Sequence, residues 1–363
     1  MKAALFYGGT DIRVEELSTP EPGPGEVLIR VCSAGICGSD LHGYHGENPW
    51  GHRADRFAPG RQDGHELAGE VAATGAGVSG LSIGQRVGIE PEHLIGCGTC
   101  TYCRRGEAHL CQQRGLRHGE HHGSHGFSQY DVCLARNVHP LPDNVSNDAA
   151  AILDCYACAV HAMHRVSILP YMNVVILGTG AIGMTLGQVV RASGGRRVIM
   201  VGTRNEPLLL ARRAGAADEG VANTQTDVVE AVLELTGGQG ADIVFETVGS
   251  SAPTVAQAIE MARPGGAICI LGVFTIDPQL NTRVAYRKEL TITWCNSYSN
   301  WNGISEYLIA LDMLASGRVA AEPLLTHHYP LDHIGEAFSA AADKKTSQAI
   351  KVLVHPNIGY LDC

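Results

Sequence analysis

Val174-Val175-Ile176-Leu177-Gly178-Thr179-Gly180-Ala181-Ile182-Gly183 is an apolar run that ends in three spaced glycines, and a helical pattern follows from Met184 to Ala192. A strand, a G-x-G-x-x-G turn and a helix in that order make a dinucleotide-binding unit. Gly178 serves the turn, Gly180 admits a pyrophosphate close to the backbone, and Gly183 lets helix and strand pack. Ala181 and Ile182 open the helix, whose N-terminus stabilises phosphate charge. The alternation then repeats, with strand 198–201, helix 206–214, strand-like 219–222, helix 227–235, strand 242–246, helix 253–262, strand 267–271 and a closing strand at 290–294. This order predicts an α/β, doubly wound parallel sheet.

The end of the second strand bears on the cofactor. An NAD site wants an acidic residue there for the ribose 2′-hydroxyl, whereas this chain has Val201-Gly202-Thr203-Arg204. Gly202 removes a carboxylate that would repel a 2′-phosphate, Thr203 offers a hydroxyl, and Arg204 offers a cationic fork. The reading favours NADP(H), with NAD(H) open if Gly202 is only a turn and Arg204 only a surface charge.

Composition bounds the rest. The 363 residues are 45% hydrophobic and 18% charged, enough for two globular domains. A net charge of −10, with no basic run, argues against nucleic acid as a partner. The apolar run in Met1–Gly8 is cut short by polar and glycine residues, so neither a secretion signal nor a membrane span is expected there. Twelve cysteines without a signal sequence point to thiols and metal in a reducing cytoplasm rather than a disulfide framework.

The alternation of strands and helices begins after Pro170; from Lys2 to about Val31 the pattern is short strands split by turns, with a Pro/Gly corner at Thr19–Glu26 ahead of the strand Val27–Cys32. Just past that strand comes Cys37-Gly38-Ser39-Asp40-Leu41-His42, then Gly64-His65-Glu66. Either string alone is as readily a polar turn or surface decoration. Cys97, Cys100, Cys103 and Cys111 are different, because their spacing suits one tetrahedral ion. Four thiolates with no open position describe a structural Zn²⁺ site. An iron–sulfur cluster is the alternative, but the Cys-Pro flank of the bacterial ferredoxin pattern is missing. His118, His121, His122 and His125 crowd one loop, which reads as a solvated Gly-rich segment.

Together the Cys37, His65 and four-cysteine strings resemble the zinc-containing alcohol dehydrogenases of the medium-chain dehydrogenase/reductase superfamily, in particular the polyol and threonine dehydrogenase-like branch. The resemblance implies a GroES-like β-rich catalytic domain, residues 1–157 and 297–363, with a Rossmann domain, residues 158–296, inserted in it and the active site in the cleft. It implies Cys37 and His65 as catalytic zinc ligands, Ser39 as the hydroxyl touching the substrate oxygen, Asp40 as partner of the His65 ring, and His42 as the outer end of the proton relay. Such a partner makes sense, since a ligating imidazole needs its other N–H fixed. For the third ligand, Ala151–Ala162 is similar to the place where polyol dehydrogenases carry Glu-Pro; here it reads Asp154-Cys155, so Asp154, then Glu66, then Cys155 are expected in that order. Thr247, Val248, Gly272 and Val273 resemble positions that approach the nicotinamide. The same resemblance implies a place near the pocket mouth for the histidine-rich loop, with His93 and Trp50 as candidate pocket walls.

The implied reaction is reversible hydride transfer between a polar secondary alcohol, polyol-like, and NADP(H), with one catalytic and one structural Zn²⁺. Zinc binds and polarises the alcohol oxygen, and the proton leaves by Ser39 and the cofactor ribose to His42. A zinc-free enone or quinone reductase would have no reason to keep both cysteine and histidine sets, and a non-catalytic NADPH-binding protein would keep only the fold. A homodimer or homotetramer is expected from the same resemblance.

Overall fold

The computed structural model describes residues 1–47, 59–91, 94, 96–114, 116–117, 120–121 and 124–357, with backbone alone at 116–117 and 120–121. Trp50, His93, His118 and His122 lie outside the described residues, as does the side chain of His121. Packing divides the chain into two compact units, Met1–Asp154 with Ser299–Ala315 and Leu325–Cys363, and Cys155–Tyr298 with Ser316–Leu324.

The first unit is built on a seven-stranded sheet. Its strands run in the order Leu325–Pro330, Lys351–His355, Glu26–Gly35, Glu66–Thr74, Arg86–Ile89 and Val138–Pro140, and Tyr130–Leu134 also pairs with Glu26–Gly35. The first two strands are parallel, and the other pairs are antiparallel. This is the β-rich domain expected from the turn-split strands. Phe6, Phe127 and Phe338 pack at its centre with ring centroids 5.4–6.2 Å apart. Aromatic burial of this kind contributes both apolar area and edge-to-face attraction.

The second unit carries a six-stranded, wholly parallel sheet in the order Glu219–Ala222, Arg197–Gly202, Asn173–Leu177, Ala241–Glu246, Ala262–Ile270 and Thr291–Trp294. That is the Rossmann order, with the chain reversing direction across the sheet beside Asn173–Leu177. Val174, Val175, Ile176 and Leu177 are all buried, as a strand covered on both faces requires. Helices Ala181–Ala192, Asn205–Arg213, Val228–Leu235 and Thr254–Met261 form the crossovers.

Ser316–Leu324 groups with this second unit, where the sequence reading kept all of 297–363 with the first. The cause is a buried polar knot: Gln188 donates to Ala320 O at 2.9 Å and accepts from its N–H at 3.2 Å, while Tyr156 Oη donates to the same carbonyl at 3.0 Å. None of these partners is close in sequence, so no local pattern foretells them.

Candidate active site

Helix Gly38–Tyr44 begins at Cys37, whose backbone N–H donates to Asp40 Oδ2 at 2.8 Å. A carboxylate in the first turn satisfies one of the orphan N–H groups of a helix start and suits the local dipole. Asp40 is buried, and its other oxygen lies 3.5 Å from His65 Nδ1. One carboxylate therefore bridges the backbone of Cys37 and the ring of His65. Burial pushes the Asp40 carboxyl above its ordinary pKa, against the pull of His65. Burial alone would lower the pKa of His65, but Cys37 and Asp40 outweigh it and hold the ring well above its usual value.

His65 follows a tight turn at Gly64, where φ is +104° and a Cβ would sit 2.8 Å from Phe127 N. Only glycine meets both conditions. Glu66 begins the next strand, and Cys37, His65 and Glu66 bring ligand atoms within 4.8 Å of one another. Sulfur, nitrogen and oxygen donors converging from three residues fit a zinc ion and leave a coordination position for substrate. Asp154 does not belong to this group of donors, and neither does Cys155. Asp154 instead lies near Tyr307, whose hydroxyl is raised well above its usual pKa by burial first, then by Glu90 and Asp154.

Lys351 is a neighbour of this donor group that sequence reasoning missed. It is 2% exposed, ion-pairs with the buried Glu66, and donates to Ile36 O at 3.1 Å. The adjacent Val352 carbonyl accepts from Ile36 N at 3.0 Å, so the closing strand holds both backbone groups of the residue before Cys37. Gly35 is bare for the same reason, since a Cβ there would meet Glu66 Oε2 at 2.2 Å. Ser39 and His42 stand three residues apart on the helix and so share a face. His42 Nδ1 lies 2.6 Å from Glu47 Oε2, a partner the sequence reading did not name. His125, from the histidine-rich loop, is held by Asp131 through backbone and ring at 2.9 and 3.1 Å.

The four cysteines of 97–111 meet as their spacing predicts. Sγ–Sγ distances are 3.5 Å for Cys100–Cys103, 3.7 Å for Cys100–Cys111 and 4.0 Å for Cys97–Cys103. Zinc–sulfur bonds of about 2.3 Å in a tetrahedron require edges of about 3.8 Å. Backbone N–H groups of Cys97, Cys100, Cys103 and Gln113 point at these sulfurs from 3.4–3.5 Å. Thr99 lowers the Cys97 thiol to about 6, while burial pushes Cys103 up to about 12. All eleven described cysteines are free of disulfides.

In the second unit Gly178 has φ +118°, and a Cβ there would meet Thr247 Oγ1 at 2.4 Å. A Cβ on Gly183 would strike Gly178 O at 2.1 Å, whereas one on Gly180 would enter open space at the helix start. The glycines thus divide as the motif requires, two for packing and one bordering room for a ligand. Thr247 Oγ1 donates to Leu177 O at 2.8 Å. Glu246, also missed, is wholly buried and accepts from Val248 N, Gly249 N and Thr254 Oγ1 at 2.8, 3.0 and 2.7 Å, fixing the loop after its strand. A Cβ on Gly272 would meet Glu246 Oε2 at 2.2 Å, and Val248 and Val273 stay exposed at 45% and 39%. Gly202 is forced by its neighbour as well, because a Cβ there would lie 2.5 Å from Thr179 Cγ2. Thr203 is exposed and Arg204 half-buried at the start of helix Asn205–Arg213.

Comparison with known proteins agrees with this architecture. The alcohol dehydrogenase GroES-like domain matches residues 23–143 and the zinc-binding dehydrogenase domain matches 181–316. Sorbitol dehydrogenase of Halalkalibacterium halodurans is 34% identical over 353 residues, 96% of this chain and 97% of that protein. L-threonine 3-dehydrogenase of Pyrococcus furiosus is 32% identical over 359 residues, 97% of each. Among solved structures, a zinc-binding dehydrogenase from Sinorhizobium meliloti bound to NADP superposes with a TM-score of 0.85 at 29% identity, covering 98% of this chain and 99% of that one. A short chain alcohol dehydrogenase from Escherichia coli complexed with NADH does so with 0.84 at 27% identity, over 98% and 99%.

The chain belongs to the zinc-type alcohol dehydrogenase family of medium-chain dehydrogenases, in its polyol-like branch. It is an oxidoreductase acting on CH–OH groups. Among the described residues no helix is long and apolar enough to cross a membrane.

Proposed function

We propose that this protein oxidises a polar secondary alcohol, of the polyol class, reversibly to the ketone with NADP(H) as the preferred cofactor. The convergence of Cys37, His65 and Glu66 donors carries the reading. Bound zinc would supply Lewis acidity to the alcohol oxygen, and bound nicotinamide would supply the hydride acceptor. The remaining chemistry is the chain's own.

Cys37 and His65 would hold the metal, with Asp40 fixing both. Glu66 would complete the shell, the support being that its donor atom groups with those of Cys37 and His65. Ser39 would take the alcohol proton, and His42, oriented by Glu47, would receive it further along the same helix face. Gly178, Gly180 and Gly183, with Ala181 and Ile182 at the helix start, would hold the pyrophosphate, and Val248 and Val273 would gain cover from the nicotinamide. Thr203 and Arg204 would take the 2′-phosphate, the support for NADP being the missing carboxylate at Gly202. The four-cysteine lobe would hold the second zinc.

A panel of sugar alcohols, cyclitols and other secondary alcohols, run on zinc-replete protein with both cofactors, tests the proposal. Turnover of a polyol with higher kcat/KM for NADP is expected. A clear NAD preference refutes the cofactor assignment, and turnover confined to enones refutes the reaction.

A further inference from the structure

A third group of potential ligands lies in the first unit and shares no residue with the sites above. Asp148, on helix Asn147–Ala151, meets His328 and His355 from the two parallel closing strands. Their ligand atoms all lie within 4.8 Å of one another. His328 Nδ1 is 3.0 Å from His355 Nε2 and 3.6 Å from Asp148 Oδ2.

The protonation of His355 follows from its surroundings. Its Nδ1 lies 3.1 Å from Cys32 O, and a carbonyl only accepts, so Nδ1 carries the hydrogen. The lone pair is therefore on Nε2, the atom that faces His328. Fixing one ring nitrogen on a backbone carbonyl so that the other presents its lone pair is how ligating histidines are oriented. The two rings lie within 7° of parallel, with Nδ1 of His328 and Nε2 of His355 facing each other, and the Asp148 carboxylate lies 3.6 Å from His328 Nδ1 and 3.8 Å from His355 Nδ1.

We propose that Asp148, His328 and His355 form a third divalent-metal site, of the zinc(II) class, that ties helix Asn147–Ala151 to the closing strands. Two imidazoles and one carboxylate suit zinc, and bonds of about 2.0–2.2 Å place neighbouring donors about 3–3.5 Å apart. The two nitrogens face each other head-on at 3.0 Å, so the exposed His328 ring swings aside to admit the ion while His355 keeps its bond to Cys32 O. Without the ion, the His328 Nδ1 hydrogen sits between the two rings. On binding, that proton moves to Nε2 of the same ring, so both facing lone pairs reach the metal and Asp148 offsets part of its charge. His355 is buried and preset, while the His328 side chain is 40% exposed and gives the ion a way in, with water completing the shell. The proposal does not depend on the reaction assigned above.

The test is calorimetric titration of zinc-replete, desalted protein with Zn²⁺, alongside metal analysis. One further ion per chain is expected, with affinity falling about 100-fold in His328→Ala. Asp148→Asn should weaken it as well, while His327→Ala, one residue away on the strand, should leave it unchanged. Cobalt at this site should give weak d–d bands without sulfur charge transfer. Uptake of no further ion overturns the proposal and leaves a hydrogen-bonded histidine pair. Equal uptake by wild type and His328→Ala, or equal loss in His327→Ala, also overturns it, as adventitious surface binding.

Discussion

Replacing Lys351 by Met should loosen the strands that carry the candidate metal ligands. Lys351 and Glu66 are 2% and 1% exposed, so the substitution strands a carboxylate with almost no water to solvate it. Breaking a buried ion pair from one side costs about 3–5 kcal/mol. It also removes the hydrogen bond to Ile36 O, at the residue that leads into Cys37. Hydrogen exchange of metal-free protein reads this locally, since exchange reports the free energy of opening each segment. At about 1.4 kcal/mol per factor of ten, amides of Glu26–Gly35 and Lys351–His355 should exchange about 10²- to 4 × 10³-fold faster. Lys351→Met with Glu66→Gln should recover most of the loss, because no buried charge is then unpaired. Zinc loading should shrink the cost in the single variant, as the ion supplies the missing positive charge. Exchange within about threefold of the parent, or a double variant as loose as the single one, would refute the reasoning.

Four further outcomes follow from the same geometry. Ser39→Ala should lower kcat by about 10²-fold or more with both zincs retained, measured by turnover and metal analysis. Arg204→Ala should lower kcat/KM for NADP by about tenfold and leave that for NAD nearly unchanged, as expected for one lost charge-assisted contact. In metal-free protein the Cys97 thiol titrates near 6, below its usual 9.0, chiefly because Thr99 hydrogen-bonds it. Its contribution to stability is therefore full above 9 and is lost as pH falls through about 6, and Thr99→Val should move the thiolate absorbance titration upward. Lys288→Met should destabilise the second unit by about 1–3 kcal/mol in urea unfolding, because Lys288 Nζ donates to Ile259 O, Glu260 O and Ala262 O at the end of helix Thr254–Met261.

The sites that were legible in the sequence are those confined to one turn or one strand–turn–helix unit. Cys97–Cys111 spans 15 residues, so backbone geometry alone limits where its sulfurs can go. The Gly178–Gly183 turn is equally local, and the structure explains each glycine by what a Cβ would strike. The six parallel strands follow from apolar runs alternating with helices, because a strand buried on both faces is mostly apolar along its length. Cys37 and His65 were singled out by resemblance to family motifs rather than by local pattern, and the helix start at Cys37 accounts for the position of Asp40.

What only the tertiary structure decided depends on register between distant strands. Glu66 and Lys351 are 285 residues apart and meet because both of their strands lie beside Glu26–Gly35. The same register brings Glu66 together with Cys37 and His65, a grouping that residue type alone could not announce. Asp148, His328 and His355 likewise meet through a helix and two parallel strands, with no motif to announce them. Local sequence sets which donors exist and which turns they sit on; the hydrogen-bond register of the sheet sets which of them share a metal-sized space.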